Sequence, residues 1–159
     1  IISFIGLFTL SIKAERLKEW LFLTYTRRET LSREIQKGFR ELSFNQIKVL
    51  HRIKKCCDRA ILYFEAEDFL MMGRLLHEAW LDKKESNKGV SNTTVEAIFN
   101  HAMKSGVVGG KVLGAGGGGY ILFVIEPYRR EYFKKKMLEI HMEEIDFSID
   151  WQGVETRII

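Results

Sequence analysis

Residues 109–127 read GGKVLGAGGGGYILFVIEP, and the fold is decided by how that stretch is divided. Short apolar runs flank the glycine block, Lys111-Val112-Leu113 before it and residues 120–125 after it. Apolar, β-branched and aromatic residues between glycine and proline punctuation read as strands. The consecutive glycines Gly116, Gly117, Gly118 and Gly119 then form the loop between two strands. A tight hairpin needs only one or two residues able to take a positive φ. A longer run leaves bare backbone whose N–H groups can line a concavity, the kind of surface that accepts phosphate oxygens.

Three familiar motifs are excluded by context. Gly114-x-Gly116-x-x-Gly119 has the spacing of the dinucleotide fingerprint, but that fingerprint must open a helix. Here a strand-like run follows, ending at Pro127. A Walker-type loop needs Lys-Ser/Thr after its last glycine, and this chain has Tyr120-Ile121. Gly119-Tyr120-x-x-Phe123-Val124 is only loosely like the aromatic strand of RNA-recognition domains, because Tyr120 and Phe123 point to opposite faces. A long glycine hairpin with no ligand is the plain alternative to all three.

Outward from the loop, residues 21–26 read as a short strand and 29–38 as a polar helix. Ile47, Leu50, Ile53, Cys57, Ile61 and Phe64 recur at helical spacing, which predicts one amphipathic helix over 43–65. Phe69, Met72, Leu76, Ala79 and Trp80 predict a second, ending near Lys84. A third starts at Asn92 or Thr93, where Thr93-x-x-Glu96 can form a capping box. It buries Val95, Ile98, Phe99 and Ala102 and ends at Gly106. Pro127 begins a fourth, presenting Phe133, Met137 and Ile140. Alternation at Ile145, Phe147 and Ile149, and again at Val154, Thr156 and Ile158, predicts a closing hairpin. Helices and strands segregated in this order describe an α+β domain, an antiparallel sheet with helices packed mainly on one face.

Composition agrees with one domain over residues 1–159. At 46% hydrophobic and 29% charged, the chain is ordinary for a globular protein and long enough to bury a core. Its net charge of +4 is mild, and the densest cluster, Lys134-Lys135-Lys136, reads as the solvated face of a helix. Cys56 and Cys57 are adjacent within a helical pattern, so they face different directions and complete no metal site. They read as thiols in a reducing compartment, the cytoplasm. The apolar run 1–10 is too short to span a membrane, which takes about 20 residues, and Lys13, Glu15 and Arg16 interrupt it. It has no basic region before it, so a strand over residues 1–11, separated from a partner domain, is expected.

The segment from Ser105 to Val124, SGVVGGKVLGAGGGGYILFV, resembles the third motif of the GHMP kinases, a family of small-molecule kinases. Upstream, Gly73-Arg74-Leu75-Leu76-His77-Glu78-Ala79-Trp80, then Lys83-Lys84, then Gly89-Val90-Ser91-Asn92, is similar to the branch that acts on heptose phosphates. The ending from Gln152 to Ile158 resembles that branch as well, so the likeness runs from about Ile12 to the last residue. It implies a ferredoxin-like C-terminal domain. It implies ATP and Mg²⁺ as cofactors, and a sugar or sugar phosphate as acceptor. It also implies a preceding half that carries the main nucleotide loop, P-x-x-x-G-L-G-S-S-A, the Mg²⁺ ligands and the catalytic carboxylates.

Nothing like that loop occurs here, and Pro127 is the only proline. The expectation is therefore the C-terminal half of a sugar kinase, without catalytic or metal-ligating residues of its own and inactive alone. The resemblance gives Gly114, Ala115, Gly116, Gly117, Gly118 and Gly119 the role of bracing the nucleotide phosphates. Lys111 could reach a phosphate. His77, Trp80 and Lys84 share one helix face and could meet the sugar, although packing roles for His77 and Trp80 are the common alternative. Ser91 is a cap or a substrate contact.

One departure stands out. After Tyr25-Thr26 the heptose branch continues Gly-x-x-Arg, whereas this chain has Arg27-Arg28-Glu29-Thr30. Two other classes stay open: a non-catalytic binding or regulatory module of the same fold, and a ferredoxin-like nucleic-acid-binding domain, which only the basic pI and the Gly-Tyr-x-x-Phe strand favour. A membrane partner is not expected.

Overall fold

The computed structural model describes residues 4–27 and 43–151. Among them are α1 (Phe4–Trp20), β1 (Leu21–Tyr25), α2 (Phe44–Glu65), α3 (Phe69–Ser86), α4 (Thr93–Lys104), β2 (Gly109–Val112), β3 (Tyr120–Val124) and α5 (Arg130–Leu138). Short 3₁₀ turns at Lys88–Val90 and Pro127–Arg129 introduce α4 and α5. The three strands form one antiparallel sheet in the order β1-β3-β2, so the domain is α+β. Leu21 pairs with Val124 and Tyr25 with Tyr120, while Gly109 pairs with Val124 and Val112 with Ile121. The glycine loop links two strands, as its flanking runs predict.

The helices begin and end for local reasons. Ser43 and Gln46 exchange side-chain and backbone hydrogen bonds in a full capping box that opens α2. Asp68 caps α3 by accepting from the Met71 N–H at 3.0 Å. After α4, Gly106 takes φ +87, and the Val107 N–H reaches back to the Ala102 carbonyl, closing the helix as a glycine C-cap does.

One face of the sheet holds the core. Phe22 of β1 and Phe123 and Ile121 of β3 are fully buried there against Phe99 of α4, Phe133 and Met137 of α5 and the Trp80 end of α3. An aromatic run ties these elements together. Trp80 stacks on Phe99 at 5.5 Å, Phe99 meets Phe123 edge-on at 5.2 Å, and Phe133 bridges Phe123 and Phe22. The opposite face is more open, with Tyr25 and Tyr120 side by side at 5.0 Å.

Four expectations are corrected or fall outside the described residues. The apolar N-terminal run is a helix from Phe4 onward and not a strand. A short apolar run has no period of its own, and the charged residues that follow continue it as a helix. Asn92, not Thr93, caps α4, accepting from the Val95 N–H at 3.1 Å; the box shifted by one residue does not form. Residues 145–149 are not a strand, although their burial alternates; among the described residues, pairing there is limited to a bridge between Thr24 and Glu144 and a bond from the Ile145 N–H to the Leu23 carbonyl. Residues 29–38 and 154–158 lie outside the described residues. Among the described residues no helix is long and apolar enough to cross a membrane.

Helix α3 lies unusually close to β2 because both carry glycine at the contact. A Cβ on Gly109 would stand 2.2 Å from the Gly73 carbonyl oxygen, and one on Gly73 would stand 2.8 Å from Val108 and Val124 side-chain atoms. Gly109→Ala is expected to cost at least about 1–3 kcal/mol, the usual range for overpacking. Denaturant unfolding measures it, and an unchanged midpoint would show that α3 can lift off β2 freely.

Candidate functional site

The β2–β3 loop is shaped by its glycines and held by its surroundings. Gly114, Gly116, Gly117, Gly118 and Gly119 all have positive φ. At Gly116, with φ +112, a Cβ would lie 2.7 Å from the Val90 carbonyl oxygen, so only glycine lets the loop seat on the turn before α4. The Gly117 N–H donates to that same carbonyl at 2.7 Å, and the Asn92 amide donates to the Gly117 carbonyl at 2.5 Å. Asn92 thus serves α4 and the loop at once. At the far end, Thr26 and Gly119 exchange two bonds of 2.9 Å, N–H to carbonyl and N–H to hydroxyl. Lys83, in the last turn of α3, donates to the Gly114 carbonyl at 2.5 Å.

This arrangement differs from a bare cradle. Gly116, Gly117 and Gly118 are buried, Ala115 and Gly119 are half-buried, and Gly114 is exposed. The Gly117 and Gly119 N–H groups are already spent inside the protein. Among the described residues no acceptor is found for the N–H groups of Ala115, Gly116 or Gly118. The middle glycines set the shape of the loop, and the rim at Gly114, Ala115 and Gly119 is where solvent reaches it. At Gly114 and Gly119 a Cβ would meet nothing within 4 Å, so both ends of the loop are unobstructed. The loop also sits beside the N-terminus of α4, whose dipole favours an anion.

The other sequence-derived candidates divide. Lys84 bonds both Glu96 carboxylate oxygens, at 3.0 and 3.1 Å, and the Ser91 hydroxyl donates to the same carboxylate at 2.5 Å. Burial alone would raise the Glu96 pKa, but the Ser91 and Lys84 bonds outweigh it and hold the group below the ordinary carboxylate value. Burial pushes the His77 imidazole down, with the Gly110 backbone working against it and the Lys84 charge adding to it. Its Nδ1 is buried without a partner among the described residues. Trp80 is 1% exposed and belongs to the core, its indole N–H likewise unpartnered. Lys111 is half-buried on β2, and its charge, after burial, lowers the pKa of Lys83. The structure therefore gathers Lys84, Ser91 and Glu96 at the turn that carries the loop, with His77 within reach of their charges, and leaves Trp80 inside.

Sequence reasoning gave no loop role to Val90, Lys83 or Thr26. Their contacts span 27, 31 and 93 positions respectively, and no local pattern reports such pairings. Among the described residues no three His, Cys, Asp or Glu side chains gather to hold a metal ion.

Residues 60–144 match the family described as GHMP kinases C terminal. The D-glycero-alpha-D-manno-heptose 7-phosphate kinase of Campylobacter jejuni is 26% identical over 151 residues, covering 89% of this chain and 44% of that protein. This chain thus spans less than half the length of that relative. By structure, the chain is similar to L. major mevalonate kinase in complex with R-mevalonate, with a TM-score of 0.70 at 14% identity over 78% of this chain and 40% of that one. It is also similar to a D-glycero-D-manno-heptose 1-phosphate kinase from Bacteroides thetaiotaomicron, with a TM-score of 0.56 at 23% identity over 85% of this chain and 34% of that one. At these identities the two structures show the fold.

Arg27 follows the strand that closes the loop and has φ +54, a conformation that suits glycine. Its ion pair with Glu143, at 3.2 Å between side chains 68% and 67% exposed, offsets little of the strain. Arg27→Gly should raise stability by about 0.5–1 kcal/mol, the left-handed penalty less the added chain entropy. Chemical denaturation tests this, and a loss of stability would mean that the side chain contributes more than its backbone costs.

Proposed function

This chain belongs to the GHMP kinase C-terminal family, and from that premise we propose that it is the C-terminal half of an ATP-dependent sugar or sugar-phosphate kinase. The observation that carries the reading is the seated glycine loop, with its rim open at Gly114 and Gly119 beside the start of α4. In the proposed reaction an acceptor oxygen attacks the γ-phosphorus of ATP, the bond to the β–γ bridging oxygen breaks, and ADP leaves. Catalysis of that step is mainly positioning and charge stabilisation. The loop contributes to both by presenting backbone dipoles to the phosphates from a geometry fixed beforehand. Gly114 and Ala115 would present backbone N–H groups to them, Gly119, its N–H held by Thr26, would border them, and Gly116, Gly117 and Gly118 would hold the loop's shape.

The base for the acceptor proton, the main nucleotide loop and the ligands of Mg²⁺ would come from a preceding half outside this sequence. Mg²⁺, when bound with ATP, would neutralise phosphate charge. We assign Lys84 and Ser91 to holding the turn beneath the loop through Glu96, and His77 to the same neighbourhood. The heptose phosphates fit as acceptors because the similarity to the C. jejuni kinase extends over most of this chain. A ferredoxin-like sheet is also part of the reading, supported by the bridge from Glu144 to Thr24, which brings the C-terminal segment to the free edge of β1.

Arg27 favours a second reading, a non-catalytic module of the same fold, because it departs from the heptose branch beside the loop.

Gly119→Asn separates a ligand role from a structural one. Asparagine tolerates a positive φ, and its side chain would meet no protein atom within 4 Å of the Cβ. In the longer protein that carries the nucleotide loop, the variant should keep its melting temperature and lose ATP affinity several-fold. Unchanged ATP affinity in the folded variant would remove the phosphate role from this end of the loop.

A further inference from the structure

We propose that Lys83 and Lys111 form a second anion site on the Gly114 flank of the glycine loop, which takes a phosphate group through side-chain ammonium donors. The inference rests on the kinase reading for its class of ligand and on geometry for its place. Lys83 projects from the last turn of α3, and Lys111 from β2, three positions before the loop begins. Helix α3 runs along β2, with Gly73 against Gly109 and Lys83 at Gly114, and this brings the two cations to one side of the loop.

Neither ammonium has a carboxylate within ion-pair distance among the described residues, whereas the neighbouring Lys84 is paired with Glu96. Two like charges thus act on each other, both half-buried, with no counter-ion among the described residues. Burial first, and the charge of Lys111 second, lower the pKa of Lys83. Such an arrangement costs free energy in the empty state, and an incoming dianion relieves it.

The local groups also suit a phosphate. A lysine ammonium carries three donors, and Lys83 spends one on the Gly114 carbonyl, leaving two. That bond covers a carbonyl oxygen that would otherwise repel an anion. Gly114 itself is exposed, and a Cβ there would meet nothing within 4 Å, so this flank of the loop is unobstructed. A terminal phosphate of a nucleotide and the phosphate monoester of an acceptor share this chemistry.

The test is calorimetric titration of the full chain, at low ionic strength, with inorganic phosphate and separately with ADP. The proteins are wild type, Lys83→Met, Lys83→Arg and Lys111→Met. Wild type should bind phosphate, each methionine variant should bind it about tenfold more weakly, the loss expected for one charge-assisted hydrogen bond, and Lys83→Arg should retain most of the affinity. Parallel losses for ADP would identify the nucleotide as the source of the phosphate, and ADP binding that survives would identify the acceptor; either result supports the site. The Lys111 side chain makes none of the loop's tethering bonds, so its variant remains informative if Lys83→Met unfolds. Phosphate affinity unchanged in folded Lys111→Met, or no phosphate binding by wild type, overturns the proposal. Lysine-dependent phosphate binding alongside ADP affinity insensitive to Gly119→Asn would count against the loop reading while leaving this site in place.

Discussion

The hydrogen bond from the Gly117 N–H to the Val90 carbonyl, 2.7 Å long, determines where the glycine loop lies. It exists because Gly116 brings no side chain into the gap and because Val90 is completely buried beneath it. The Val90 carbonyl is in turn placed by a short 3₁₀ turn, which Asn87 stabilises by accepting from the Gly89 N–H at 2.8 Å. A polar bond in such a dry place is expensive to leave unmade, so the loop and the α3–α4 connection have to move together. The position of that connection depends on α3, whose close approach to β2 depends on Gly73 and Gly109. The geometry of the loop is therefore inherited from helix-to-strand packing well away from it.

Charge and aromatic packing reinforce the same joint. Lys84 at the end of α3 and Glu96 in the first turn of α4 are strapped together, with Ser91 between them. Trp80 and Phe99 stack directly behind that strap and hand the contact on to the sheet through Phe123. A loop restrained at Gly114, Gly117 and Gly119 has already lost much of the freedom that a ligand would otherwise have to remove. This preorganisation suits phosphoryl transfer, in which positioning provides most of the catalysis.

Much of this fold could be read from the sequence because its signals are local. Helical spacing located α2, α3 and α4, the glycine block between apolar runs located β2 and β3, and Pro127 and Gly106 marked element ends. What could not be read was non-local. The apolar N-terminal run carries no period that separates a strand from a helix, and the alternation at 145–149 needs a partner edge before it becomes a ladder. The candidate site was legible as a loop and not as an assembly. Lys84, Ser91 and Glu96 each appear as ordinary helix or cap residues until folding brings them together, and nothing near Lys83 in the sequence refers to Gly114. Trp80 shows the converse, sharing a helix face with two polar candidates while its ring is enclosed in the core.

The central claim is that the loop is folded in advance and meets a phosphate at its rim. Titrating the isotopically labelled protein with ATP while following its backbone amide resonances tests that claim most directly. The account predicts that Gly114, Ala115 and Gly119 shift progressively, while the Gly117 amide, bonded to Val90, stays protected and nearly unmoved. ATP binding that leaves these rim amides unperturbed, or that releases Gly117 from its protection, would contradict it.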